Sequence, residues 1–248
     1  MTVMPHWSAS RFMVWDQCPG EFKARYVSER PVQVTEAMAF GQSVHMGLET
    51  HYQGGDGIRA FRAAWKQFGI ELGDVDSGLT SKGMDLIDQV VELGLSGTPE
   101  RGFSIDTNKE LGAPIVGAID LWGDDDVIYD FKTTRGLWSQ ERAQKEVWQP
   151  ALYTWARVLE EQDYEGAFEY IVLNRVTGTL QRFRRDWNSD ELLEQMNQAW
   201  DRMRCIANDV YADRYACHGK HGFCPECGER WSHEHVCDVR TTERIRLH

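Results

Sequence analysis

The spacing of apolar residues changes period along this chain, and each change marks an element. Apolar positions three and four apart predict helices over about Ser8 to Tyr26, Ala37 to Tyr52, Ile58 to Phe68 and Ser81 to Leu95. That spacing then gives way to an apolar run, Ile115 to Ile119, and to a strand ending at Thr134 in which successive side chains alternate between faces. The acidic turn Gly123 to Asp126 between them predicts an antiparallel hairpin. Helical spacing returns in the stripe Val147, Ala151, Trp155 and Leu159 and predicts a helix to about Glu161, with Pro150 fitting either a start near Gln149 or a kink. Strands Ala167 to Asn174 and Thr179 to Arg185 turn at Thr177 and Gly178, and a long helix covers Asp190 to Tyr211. Elements in this order predict an α/β protein with a central mixed sheet flanked by helices. Trp65, Trp155 and Trp200 each fall on a helical apolar spacing and are expected in the core.

The hairpin is where chemistry concentrates. Asp130 and Lys132, two apart on one strand, point to one face while Tyr129, Phe131 and Thr133 point to the other. Whether Asp120 on the first strand meets Asp130 depends on the loop. An even loop, Gly123 to Asp126, sets Asp120 opposite Tyr129 and puts the carboxylates on opposite faces. An odd loop, either Asp124 to Asp126 or Gly123 to Val127, pairs Asp120 with Asp130. In that register two hard oxygen donors and an ammonium converge, which suits Mg²⁺ or Mn²⁺ and hydrolysis of a phosphodiester. An ordinary hairpin with a solvated Asp and Lys carries the same letters, so the surroundings decide.

Those surroundings are a series of short motifs. Ser8-Ala-Ser10-Arg11-Phe12 and Trp15-Asp-Gln-Cys18-Pro19-Gly-Glu-Phe22 open the chain, followed by Gly41-Gln-Ser-Val-His45. The Asp120 strand and Asp130-Phe131-Lys132 come next, and then Gln149-Pro-Ala-Leu-Tyr153. In order and type they resemble the RecB-like branch of the PD-(D/E)XK nucleases, which includes AddB-type nuclease domains, CRISPR adaptation exonucleases and many phage exonucleases. Asp130 stands where many relatives carry Glu. The resemblance implies a restriction-endonuclease-like core over residues 1–213 and a metal-dependent deoxyribonuclease, most simply an exonuclease acting on DNA ends or single strands.

On that resemblance, Asp120, Asp130, the Phe131 carbonyl and His45 would hold the Mg²⁺ or Mn²⁺. Lys132 would act on the attacking water or stabilise the transition state as a cation. Gln149 and Tyr153, one helical turn apart, would face the substrate. Each also has a structural explanation. His45 lies between Val44 and Leu48 on an amphipathic helix and could be a packing residue, and Tyr153 lies beside an apolar stripe and could be core.

The C-terminal segment, residues 214–248, concentrates cysteine in Cys217, Cys224, Cys227 and Cys237. No apolar segment of signal-peptide type opens the chain and no run approaches the roughly 18 apolar residues of a membrane span, so an intracellular, soluble protein is expected, and the resemblance to phage exonucleases adds a phage-encoded origin to that expectation. In that compartment clustered cysteine points to metal more than to disulfides. Within the tail, Cys217, Cys224, Cys227 and Cys237 would form a closed Zn²⁺ site, with a nearby His able to replace one. The resemblance implies instead a [4Fe-4S] cluster on Cys18, Cys224, Cys227 and Cys237, stapling the two ends of the domain together. The long gap before Cys237 and the extra Cys217 speak against the cluster, and Cys18 speaks for it.

At 248 residues and 42% hydrophobic, the chain can bury one sizeable core. Its formal net charge of -12 is the feature that fits a DNA partner least. Arg175, Arg182, Arg184 and Arg185 form one candidate basic patch, and Arg11, Lys23 and Arg25 another. A non-catalytic DNA-end or partner-binding module with a zinc tail is the alternative reading, although intact Asp120, Asp130 and Lys132 argue against it. The chain has no G-x-x-x-x-G-K-[ST] phosphate loop, so any helicase would be a separate partner, and nothing in the sequence identifies such a partner, a recombination partner or an oligomer.

Overall fold

A computed structural model describes residues 4–73, 76–161 and 166–215. Its centre is a five-stranded sheet in sequence order, with strands β1 (Gly97–Ile105), β2 (Ile115–Gly123), β3 (Val127–Thr134), β4 (Gly166–Asn174) and β5 (Thr179–Trp187). Neighbours are antiparallel except β3 and β4, which run parallel. A parallel pair needs a crossover that lies over a face of the sheet. Here it contains α7 (Gln140–Lys145) and α8 (Trp148–Glu161). The expected mixed sheet flanked by helices is the architecture observed.

Each face of the sheet has its own core. On one side α8 packs with α1 (Ala9–Gln17) and α9 (Ser189–Tyr211) around Phe12, Ile128, Leu152, Phe168, Trp200 and Met203. On the other, α3 (Glu36–Tyr52), α4 (Gly57–Leu72) and α5 (Ser77–Val91) pack Phe40, Val44, Leu48, Phe61 and Leu86 against Leu121, Tyr129 and Phe131. The i, i+4, i+8 spacing of Phe40, Val44 and Leu48 turns one stripe of α3 to the sheet. Thr35 fixes where that helix starts, its hydroxyl accepting the Met38 N–H at 3.3 Å. The three tryptophans expected in the core are buried, Trp65 in the second cluster and Trp155 and Trp200 in the first.

Two expectations need correction. The single helix expected from Ser8 to Tyr26 is broken at Cys18, whose backbone is extended (φ -161°). Pro19 cannot donate the hydrogen bond that continuation would need, and it instead opens α2 (Pro19–Phe22), with Cys18 Sγ accepting from Glu21 N–H at 3.4 Å as the cap. A π-helical turn, Lys23–Val27, follows, and α6 (Asn108–Leu111) is a single short turn. The second correction is β1, which the apolar spacing did not predict. It is an edge strand whose outward positions are exposed, so Thr98, Glu100, Gly102 and Ser104 leave almost no apolar alternation to read. Gly97 opens it because a Cβ there would collide with the Trp122 carbonyl.

Candidate metal centre

The loop of the β2–β3 hairpin is odd. Leu121 pairs with Tyr129 and Trp122 with Ile128, which leaves Asp124 to Asp126 as the loop and carries the register on to Asp120 and Asp130. Asp126 closes it in the left-handed region (φ 65°), as a three-residue hairpin loop requires. The loop is tied down from several directions. Asp124 N–H donates to the Ser96 carbonyl at 3.0 Å, the Tyr129 hydroxyl donates to Asp125 at 2.7 Å, and the buried Arg157 of α8 grips both the carbonyl and the carboxylate of Asp126.

Beyond Leu121 the two strands part. The Asp120 carboxylate takes over, accepting the Phe131 N–H at 2.7 Å where a backbone carbonyl would otherwise sit. Pairing lapses on its other side too, since Pro99 pairs with Leu121 and Arg101 with Ile119 but Glu100 is unpaired between them. Alternation also switches there: Ile119 belongs to one core and Leu121, two along, to the other. Asp120 therefore stands at an opening in the sheet, level with Glu100 on one neighbour and Asp130 on the other.

Asp130 is fully buried, and the protein satisfies it. Gln149 Nε2 donates to Oδ1 at 2.8 Å, and the Lys132 ammonium is ion-paired with Oδ2. Burial pushes its carboxyl up to about 7, opposed by the Lys132 charge and reinforced by Asp120. Lys132 is half-buried, with the Tyr170 ring 5.9 Å from its ammonium.

The other side of the opening is different. His45 reaches Asp120 from α3, Nδ1 lying 3.6 Å from Oδ2. Gly41, one turn earlier, is what permits this approach: a Cβ there would stand 2.9 Å from Thr133 Oγ1, so glycine lets α3 lie close to β3. Ligand atoms of His45, Glu100 and Asp120 all fall within 4.8 Å of one another, the one such group among the described residues. One imidazole and two carboxylates are donors that Mg²⁺ or Mn²⁺ accepts, so the residues fit a divalent ion. Asp130 stands beside this set and not within it. Burial, reinforced by Asp120 and Glu49 and opposed by His45, raises the Glu100 carboxyl above its ordinary range. Sequence reasoning missed Glu100, because a lone acid in an unrecognised edge strand has no spacing to announce it.

Gln149 and Tyr153 share a helix face as expected, but both turn inward. Gln149 holds Asp130 and also donates to the Tyr153 hydroxyl at 3.4 Å. Tyr153 is buried against Phe103 and Phe168, and burial together with Asp130 and Asp120 pushes its hydroxyl far above the ordinary tyrosine range. The Phe131 ring packs between His45 and Tyr52, with centroids 6.4 and 6.1 Å away. The two basic patches are largely neutralised from within. Arg182 pairs with Glu169, Arg184 with Asp186, Arg175 with Glu36, Lys23 with Asp213 and Arg25 with Glu21. Arg185 donates to the Gln144 carbonyl, while Arg11 donates to the His6 carbonyl and lies over Tyr26. Cys217, Cys224, Cys227 and Cys237 lie outside the described residues.

The family model for the PD-(D/E)XK nuclease superfamily matches residues 6–238. Among solved structures, that of a "Putative exonuclease" from Eubacterium rectale is similar, with a TM-score of 0.62 at 12% identity over 94% of this chain and 91% of that one. At that identity the likeness speaks for the fold. A second, the structure of SSO0001, reaches a TM-score of 0.32 at 13% identity over 81% of this chain and 86% of that one, too loose a superposition to carry an argument. No curated protein sequence matches.

Proposed function

The chain belongs to the PD-(D/E)XK nuclease superfamily, and from that premise we propose that it is a divalent-metal-dependent deoxyribonuclease of the RecB-like branch, an exonuclease working from DNA ends or on single strands. The observation that carries this reading is the odd hairpin register, which sets Asp120 level with Asp130, whose carboxylate Lys132 meets from two residues along the same strand. Asp120, Asp130, His45 and the Phe131 carbonyl would hold the ion; when bound, Mg²⁺ or Mn²⁺ neutralises phosphate charge and lowers the pKa of water.

The remaining steps belong to the chain's own groups. Burial holds a proton between Asp130 and Lys132 near neutral pH, so Lys132 can orient the attacking water at Nζ and, as a cation, stabilise the charge that grows on the phosphate. Gln149 fixes the Asp130 carboxylate through Oδ1, which in turn fixes Lys132. The Tyr153 hydroxyl stays protonated at neutral pH and keeps a donor beside the carboxylates.

The reading extends to the tail, residues 214–248, as a metal-binding appendage of the nuclease domain 1–213, with [4Fe-4S] on Cys18, Cys224, Cys227 and Cys237 and zinc as the competing ion. Two contacts support the stapled arrangement. The Tyr215 ring lies 5.7 Å from that of Trp15 and 4.7 Å from the Lys23 ammonium, so the last described residue packs against the two segments that flank Cys18 in sequence.

The test is incubation of the full chain with 5′- and 3′-labelled DNA, single- and double-stranded, linear and circular, with Mg²⁺, Mn²⁺ or chelator. Metal-dependent loss of linear DNA with circles spared is the expected result, and the label released first gives the polarity. No metal-dependent cleavage of any substrate would overturn it, and binding of ends without cleavage would favour the non-catalytic module.

A further inference from the structure

On the side of Asp130 away from the opening, its face of the sheet continues onto β4, where Tyr170 is its register partner. There α7 and the start of α8 stand over β4 and β5 and leave a cleft, with Gln140, Gln144, Tyr170 and Arg185 on its polar side and Pro150 and Phe183 on its apolar side. The space it encloses is about 10 Å³, room for a single water-sized group. Buried donors collect around it without acceptors. The Tyr170 hydroxyl, Trp138 Nε1 and Gln195 Nε2 are buried and have no hydrogen-bond partner among the described residues, and the Trp138 ring lies 5.3 Å from that of Tyr170. Burial, reinforced by Asp130 and Glu146, pushes the Tyr170 hydroxyl well above its ordinary range, so it keeps its proton as a donor. Among the described residues, no carboxylate lines the cleft. Its cation is also unlike its neighbours. Arg175, Arg182 and Arg184 are each paired with a carboxylate, whereas the half-buried Arg185 donates to the Gln144 carbonyl at 2.9 Å and to the Gln195 amide oxygen at 3.5 Å, both neutral.

We infer that this cleft is a phosphate subsite for the substrate strand, with Arg185 as its cation and the Tyr170 hydroxyl as its neutral donor. The inference rests on the nuclease reading above. Unmatched donors and a cation facing only neutral oxygens call for an anionic acceptor, and an ionised phosphodiester accepts hydrogen bonds and donates none. Size decides the part that enters: one phosphoryl oxygen fits the enclosed space, whereas a base does not. Position ties the cleft to the chemistry. The Lys132 ammonium lies 5.9 Å from the centre of the Tyr170 ring, so a strand whose reacting phosphate meets Lys132 reaches the cleft with a flanking one. Holding the strand at that second point limits the freedom of the reacting phosphate. Arg184 also borders the cleft, but its guanidinium is already paired with Asp186.

The experiment measures fluorescence anisotropy of a labelled single-stranded oligonucleotide with the full chain, in chelator and across a series of salt concentrations, which gives affinity and its salt slope without cleavage. One phosphate contact on a single strand is worth about 0.7 in that slope. Arg185→Gln should weaken binding and reduce the slope by about 0.7. Arg185→Lys should keep the slope while binding more weakly, because an ammonium lacks the guanidinium fork. Tyr170→Phe keeps the ring and loses only a neutral donor, so binding should weaken by roughly fivefold or more with the slope unchanged. Arg184→Ala is the control for a paired neighbour. Melting temperatures check folding, and Arg185→Lys and Tyr170→Phe carry the test if Arg185→Gln does not fold. An unchanged slope in folded Arg185→Gln, or binding within about twofold of wild type in Tyr170→Phe, would overturn the subsite, as would no binding by the wild type. Mn²⁺-dependent cleavage of the same oligonucleotide by the wild type reports separately on the nuclease reading and would leave it standing in each of these cases.

Discussion

The two sides of the hairpin opening solve the same electrostatic problem in opposite ways. Asp130 is sealed from solvent and its charge is met by Lys132 and Gln149. The set of His45, Glu100 and Asp120 is only partly covered and its negative charge is met by no lysine or arginine among the described residues. A buried charge must carry its partner with it, whereas a half-open cluster can wait for a cation from solution. The difference leaves the Asp130 side already matched by the protein's own groups and the other side with negative charge that a cation from solution could meet.

The largest effect should come from removing either side outright. Asp120→Ala, Asp130→Ala and Lys132→Ala should each lower DNA cleavage by roughly a thousandfold or more, as loss of a catalytic electrostatic partner does, while circular dichroism shows the fold intact. The division predicts a further split: Asp120→Ala should lose Mn²⁺ affinity, while Lys132→Ala should keep it. Loss of Mn²⁺ affinity in Lys132→Ala would erase the distinction between the sides.

Gln149→Ala should come next, lowering turnover by roughly tenfold to a hundredfold, the range for removing a group that orients a reacting residue. If Gln149 acts through Asp130, the pH profile of the variant should shift along with its rate. A change in KM for DNA with turnover preserved would mean that it touches substrate instead.

Stability gives a test without DNA. The folded pKa of Asp130, about 7, lies above its ordinary value of 3.8, so the folded protein holds a proton that the unfolded chain has already released. Its stability should therefore fall as pH rises through that window. Asp130→Asn removes this penalty, so in chelator its stability relative to wild type should rise between about pH 4 and pH 7 and then level off. Urea unfolding curves that differ by the same amount at every pH would contradict a buried, elevated carboxyl.

The smallest effect belongs to Arg184 of the basic strand pair. Because Arg184 is an exposed residue already paired with Asp186, Arg184→Ala should change DNA affinity by less than about twofold in fluorescence anisotropy. A large loss would show that the pair opens to receive DNA.

How much of this was legible depended on whether a residue's role lay in its own spacing. Asp130 and Lys132 share a face by the strand period, and the odd loop was a condition that the sequence could pose but not decide. What decides it is tertiary: Arg157, two turns beyond Gln149 on α8, grips Asp126, and Ser96 receives Asp124. The G-x-x-x-H spacing was readable, but its reason, the closeness of Gly41 to Thr133, was not. Glu100 stayed hidden because an edge strand with one solvent face has little apolar pattern. The arginine patches misled because partners such as Glu169 and Asp186 reach them only through strand pairing and local side-chain geometry.

The central claim is that this opening in the sheet hydrolyses DNA with a divalent ion. Its most direct test is the release of nucleotides from end-labelled linear DNA by wild type and Asp130→Ala, each first in chelator and then after Mn²⁺ is restored in excess. Release by the wild type only after Mn²⁺ returns, and none by the variant at any point, is the predicted result. Release in chelator, or equal release by the variant, would contradict it.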